Sequence, residues 1–149
     1  MLRPRLLATL LISALALNAA PEIVRVWGDY VPASNFDRIS EYFGAPESHP
    51  GRAIARTHPE SRSGYYFLVR LSKAESMPAG SRWRLELLRK GERQPALHEF
   101  PAVASSSVNQ LGLTGEDWKD SREVPIAWKI SLLGPDGTTV LSRQSFLWD

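Results

Sequence analysis

Histidine is the side chain best suited to move protons or hold a metal near neutral pH, and the chain has three: His49, His58 and His98. His49 and His58 each precede a proline and stand nine residues apart. No H-x-x-x-H, H-x-H or H-E-x-x-H spacing occurs, so no two histidines are set to share a metal on one helix turn or one strand face. Glu47 and Glu60 are close in sequence but at no fixed ligand spacing. The expectation is that His49 and His58 are solvent-exposed loop residues and that His98 lies on a strand.

Nucleophilic catalysis needs a base beside the nucleophile and an oxyanion hole. Serines are common, including Ser105, Ser106 and Ser107, yet none stands in G-x-S-x-G, and they read as links between strands. Glu116, Asp117 and Asp120 surround Trp118. Paired carboxylates beside an aromatic suit a glycosidase or another small hydrolase. The same acids suit a helix start, where they complement the dipole. Neither phosphate-cradling glycine motif occurs, and the D-x-D-x-D-G calcium loop is missing. With no cysteine, disulfides, thiolate metal sites and thiol catalysis are excluded. These patterns assign no catalytic, cofactor-binding or metal-ligating residue, and no cofactor is expected.

Aromatics offer a different chemistry. Tyr30, Tyr65, Tyr66, Trp118 and Trp148 do not all fit an inward-facing pattern. Tyr65 and Tyr66 are adjacent on a predicted strand and so point to opposite faces. An exposed ring stacks on a sugar or anchors a protein partner.

The elements that must position these residues follow from composition and pattern. The chain has 149 residues, 43% hydrophobic and 23% charged, an ordinary globular mix for one domain. Arg3 and Arg5 precede a twelve-residue apolar run, Leu6 to Leu17, and small residues follow at Ala19 and Ala20. This reads as a secretory signal over residues 1–19, cut after Ala19. The run is too short to cross a bilayer, so no stable span is expected after cleavage. The domain then covers residues 20–149 outside the cytoplasm, periplasmic or secreted.

Without Arg3 and Arg5 the 18 basic residues fall to 16, matching the 16 acidic ones. A near-neutral chain is a poor candidate for nucleic acid. The charge is uneven, however: residues 50–93 carry ten basic and four acidic side chains, while residues 20–49 and 94–149 are each at −3. Either oppositely charged strands pair across a sheet, or a basic face receives an acidic glycan, a lipid headgroup or a protein.

Residues 22–31 are rich in β-formers, with Gly28 as a candidate bulge or bend. Ser34 and Asp37 are spaced as a capping box, Phe36, Ile39 and Phe43 recur at helical spacing, and Gly44 suits a helix C-terminus. This predicts a short helix over 35–43 whose aromatic stripe plugs one end of the core. Residues 45–63, with Pro46, Pro50 and Pro59, read as a long loop.

Strands are then expected at 65–71, 82–89, 96–103, 108–113, 124–133 and 138–148. Trp83, Leu85 and Leu87 face inward on the second of these, and Leu97 and Val103 on the third, where Pro101 marks an edge. Thr114 to Asp117 repeats the capping spacing and predicts one helical turn. Val124, Ile126, Trp128, Ile130 and Leu132 alternate, with Trp128 as a candidate central core residue. Gly134-Pro135-Asp136-Gly137 is a hairpin turn, and the returning strand near the C-terminus is a candidate open edge.

Six or seven strands joined by short turns, with one short helix near 35–43, predict an all-β, antiparallel β-sandwich of immunoglobulin or fibronectin-III type. A small open barrel is the alternative. The expected function is a secreted, non-catalytic binding or structural module with a protein or glycan partner. The alternatives are a carbohydrate-binding module using exposed aromatics and a small hydrolase using the acids near Trp118.

Overall fold

The computed structural model describes residues 21–73 and 77–149. The predicted signal at 1–19 lies outside the described residues. The chain is mostly β and forms two four-stranded sheets, neither closed into a barrel. The strands are β1 (Ile23–Val31), β2 (Ala53–Arg56), β3 (Gly64–Leu71), β4 (Arg82–Leu88), β5 (Ala96–Pro101), β6 (Val108–Thr114), β7 (Ala127–Leu133) and β8 (Thr139–Gln144). One sheet runs β1-β3-β6-β2 and the other β5-β4-β7-β8.

Every pairing is antiparallel except β2 with β6, which is parallel, Ala53 opposite Asn109 and Arg56 opposite Gly112. Alternation decides what lies between the sheets. Tyr65, Phe67, Val69 and Leu71 from β3 pack with Leu111 and Leu113 from β6, Trp83, Leu85 and Leu87 from β4, and Ile130 and Leu132 from β7. The alternation over 82–89 therefore reads true.

Loops close where the sequence says they should. Gly137 has φ +85°, Gly134 N–H donates to Thr138 O at 2.8 Å, and Asp136 Oδ1 accepts from both the Thr138 N–H and hydroxyl. The strands bearing Pro101 and the C-terminal return, β5 and β8, are both sheet edges. From β8, Arg143 Nη1 donates to Ile23 O and Val24 O of β1, the neighbouring edge of the other sheet, each at 3.0 Å. That guanidinium occupies two carbonyls of β1 that an added strand would use.

Several expectations are corrected. The 45–63 stretch is not all loop, since β2 lies within it. The helix over 35–43 is two pieces, a 3₁₀ turn at Ala33–Phe36 and an α-helix at Ile39–Tyr42. Asp37 and Arg38 are extended between them, at ψ 133° and 141°. The break rotates the stripe out of line, so Phe36 is buried while Ile39 and Phe43 face solvent. Gly28 is no bulge: the register shift falls between Ile23 and Arg25, and Gly28 instead leaves room for Tyr65, whose Oη would lie 2.8 Å from an added Cβ.

Leu97 and Val103 are exposed, because Ala96, His98 and Phe100 are the inward positions of β5. Val124 and Ile126 precede β7 and are exposed. Trp128 packs edge-on to Phe67 but is only half-buried. The fully buried central tryptophan is Trp83.

Candidate interaction site

The outer face of the first sheet carries a second, smaller packed layer. Register puts Arg25, Trp27 and Asp29 of β1 on this face with Tyr66, Leu68 and Arg70 of β3, Gln110 and Gly112 of β6, and Ile54 and Arg56 of β2. Half of it is covered by residues 33–49. Phe36 lies over Tyr66 with ring centroids 4.8 Å apart, and Gly112 makes this possible, since a Cβ there would come within 2.4 Å of the Tyr66 ring.

Arginines fasten the cover. The Arg56 guanidinium sits 4.8 Å from the Phe36 ring centroid and donates to Tyr66 Oη at 2.7 Å. It also grips Glu47 with two bonds, 2.9 and 2.7 Å, the fork geometry of a strong pair. Hydrogen bonds from Arg56 pull the Glu47 carboxyl down to about 2. The Arg56 side chain is only 8% exposed and that of Glu47 22%, so the ion pair is largely desolvated. Tyr66 Oη in turn donates to Arg62 O at 2.5 Å. Burial raises the Tyr66 hydroxyl above its ordinary range, keeping it a donor.

Arg62 ties down the short helix through Glu41, at 3.0 and 2.6 Å, and lowers that carboxyl. Glu41 Oε2 also accepts from the Arg38 N–H at 3.1 Å. The helix ends at Gly44, φ +86°, where Gly44 and Ala45 N–H donate to Glu41 O and Ser40 O.

His49 belongs to this cover and is not the exposed loop residue the sequence suggests. Its side chain is 6% exposed. Nε2 lies 2.7 Å from Glu47 Oε1, and Arg38 Nε donates to Nδ1 at 3.3 Å. The ring meets Phe36 edge-on. That environment fits the tautomer with its proton on Nε2, a structural role.

What the fastened cover presents to solvent is apolar. Ile39, Tyr42 and Phe43 are 79%, 80% and 86% exposed. A groove of about 560 Å³ beside them is lined by Asp37, Arg38, Ile39, Ser40, Ser48 and Pro50. Large apolar side chains clustered on a fastened segment are the usual form of a docking surface.

The acids near Trp118 each meet a partner within the fold or at its surface. Trp118 is 2% exposed, stacked between Tyr65 and the Arg89 guanidinium, with Nε1 donating to Asp120 O. Glu116 pairs with Lys119. Asp117 Oδ2 lies 3.2 Å from His58 Nε2, whose other ring nitrogen faces Glu60 at 3.3 Å. His58 is therefore flanked by a carboxylate on each ring nitrogen. The helical turn expected here forms as a 3₁₀ turn at Gly115–Asp117, but Thr114, at its N-cap position, does not cap it with its side chain: the hydroxyl donates to His58 O and accepts from His58 N–H. His98 is half-buried, and burial lowers it. Among the described residues no three His, Asp or Glu side chains are grouped to hold a metal.

Of the aromatics singled out by sequence, Tyr65, Tyr66 and Trp118 are buried, while Tyr30 and Trp148 are half-buried. The exposed rings that sequence reasoning missed are Trp27, Tyr42, Phe43 and Phe146. Trp27 had a signal: it shares strand parity with Arg25 and Asp29, which marks a wet face.

At least five of the ten basic side chains of the middle are taken up by ion pairs. Arg82 and Arg84 both reach Glu99 on the neighbouring strand, Arg89 pairs with Glu123, and Arg56 and Arg62 hold the cover. No family model, curated protein or solved structure matches the chain.

Proposed function

We propose that this chain is a non-catalytic interaction module acting outside the cytoplasm, a β-sandwich of immunoglobulin or fibronectin-III type that docks a protein partner through Ile39, Tyr42 and Phe43. Two packed four-stranded sheets, antiparallel but for β2 and β6, support the architecture. The apolar run over residues 6–17 supports the compartment. The observation that carries the function is the trio itself, held outward by Arg62, Glu41 and the packed layer beneath. Ordering such side chains before binding lowers the entropy a partner must overcome.

The test is capture from an extracytoplasmic extract by immobilised residues 20–149. Ile39→Ser, Tyr42→Ser and Phe43→Ser together are expected to leave the thermal midpoint nearly unchanged, because none of the three is buried. The same variant is expected to abolish retention of a partner held by the parent. Undiminished retention would refute the trio as the docking surface.

A further inference from the structure

The open half of the outer face has a charge pattern that the fold does not explain. Arg25 of β1 and Arg70 of β3 are direct cross-strand partners, both exposed. Like charges placed opposite each other in an antiparallel pair destabilise it. Elsewhere the arginines of the basic middle that project from the sheets meet carboxylates. Here Arg25 meets only the Trp27 ring, 4.7 Å from its centroid, and neither arginine has a carboxylate partner among the described residues. Arg52 reaches the same face, donating to Gln110 Oε1 at 3.2 Å.

The positions bearing on this half are Arg25, Trp27, Leu68, Arg70, Gln110 and Arg52. None is acidic. They form a strip across β1, β3 and β6, about 10 Å wide at the usual strand spacing, with Arg52, just ahead of β2, at its far side. Trp27 is 55% exposed within it. An exposed indole stacks on the apolar face of a sugar ring, while guanidinium forks take carboxylate or sulfate groups projecting from the ring edge. An acidic peptide would bind by extending the sheet, but Arg143 already occupies the Ile23 and Val24 carbonyls on that edge.

We propose that this face binds an acidic polysaccharide, with Trp27 as the stacking platform and Arg25 and Arg70 as the anion contacts. The site is separate from the Ile39, Tyr42 and Phe43 surface.

Titration of residues 20–149 with polygalacturonate, heparin and neutral dextran tests it. The first two separate carboxylate from sulfate recognition. Binding to at least one acidic polymer and not to dextran is expected, weakening with salt. Trp27→Ala is expected to weaken it about tenfold, and Arg70→Gln to weaken it severalfold while preserving strand length and polarity. Lys90→Ala with Arg93→Ala, which removes two exposed charges from the β4–β5 turn, is expected to have no effect. The Ile39, Tyr42 and Phe43 variant is expected to bind as the parent does. The proposal is overturned by absence of binding to both acidic polymers, or by equal loss in the Lys90 and Arg93 control. Tighter binding to polyglutamate or to phosphatidylglycerol vesicles than to either glycan overturns it too.

Discussion

Glu47→Gln is expected to destabilise the folded chain by about 3 kcal/mol at pH 7 and by only a few tenths near pH 2. Glu47 is held at about 2 against an ordinary 4.5, chiefly by the Arg56 hydrogen bonds. A depressed carboxyl contributes stability that is complete above 4.5. That contribution is lost as pH falls from 4.5 through the folded value near 2. Gln keeps the shape and one acceptor but removes the charge that Arg56 was desolvated to meet.

Other carboxyls are also lowered by arginines, among them Glu41, Glu99 and Glu123. The parent therefore weakens in acid for several reasons at once. The difference between parent and variant isolates Glu47. Urea unfolding of both at pH 7, 4.5 and 2.5 measures it, and a gap independent of pH would show that Glu47 and Arg56 do not hold the cover.

The second large effect is a coupling. Tyr66→Ala is expected to cost about 4 kcal/mol, since the ring is buried between Phe36, Arg56 and the sheet. Gly112→Ala alone is expected to cost about 2 kcal/mol, because its Cβ would enter the Tyr66 ring at 2.4 Å. In the Tyr66→Ala background the same Gly112→Ala change meets no ring. There it is expected to be neutral or stabilising by about 0.5 kcal/mol, as alanine usually is over glycine within a strand. Gly112 has no positive φ, so strain does not enter. A coupling near 2 kcal/mol supports the packing, and additive costs would contradict it.

The inward face of β4, the Gly134–Gly137 turn and the edge strand bearing Pro101 were legible because each rests on a local rule: alternation, turn chemistry, or a missing donor. The cover was not. Four residues, Ala53 to Arg56, give too short a pattern to stand out between Pro50 and Pro59, and their parallel pairing with β6 is settled 56 residues away. Phe36, Ile39 and Phe43 look like one helical stripe until the extended pair Asp37 and Arg38 breaks it. His49 is buried by Phe36, Arg38 and Glu47 together, a convergence with no signature at its own position. The exposed trio followed from these same placements, whereas Trp27 was legible from its strand parity with Arg25 and Asp29.

The docking surface requires residues 33–49 to be a fastened platform. Amide hydrogen exchange at Gly44 and Ala45, whose N–H groups bond to Glu41 O and Ser40 O, tests this most directly. The platform predicts exchange at least about tenfold slower than in an unfolded chain, with that protection lost in Glu47→Ala while β3 and β6 amides stay protected. Exchange at the unfolded rate in the parent would contradict it, leaving Ile39, Tyr42 and Phe43 on a mobile loop with no ordered surface to offer.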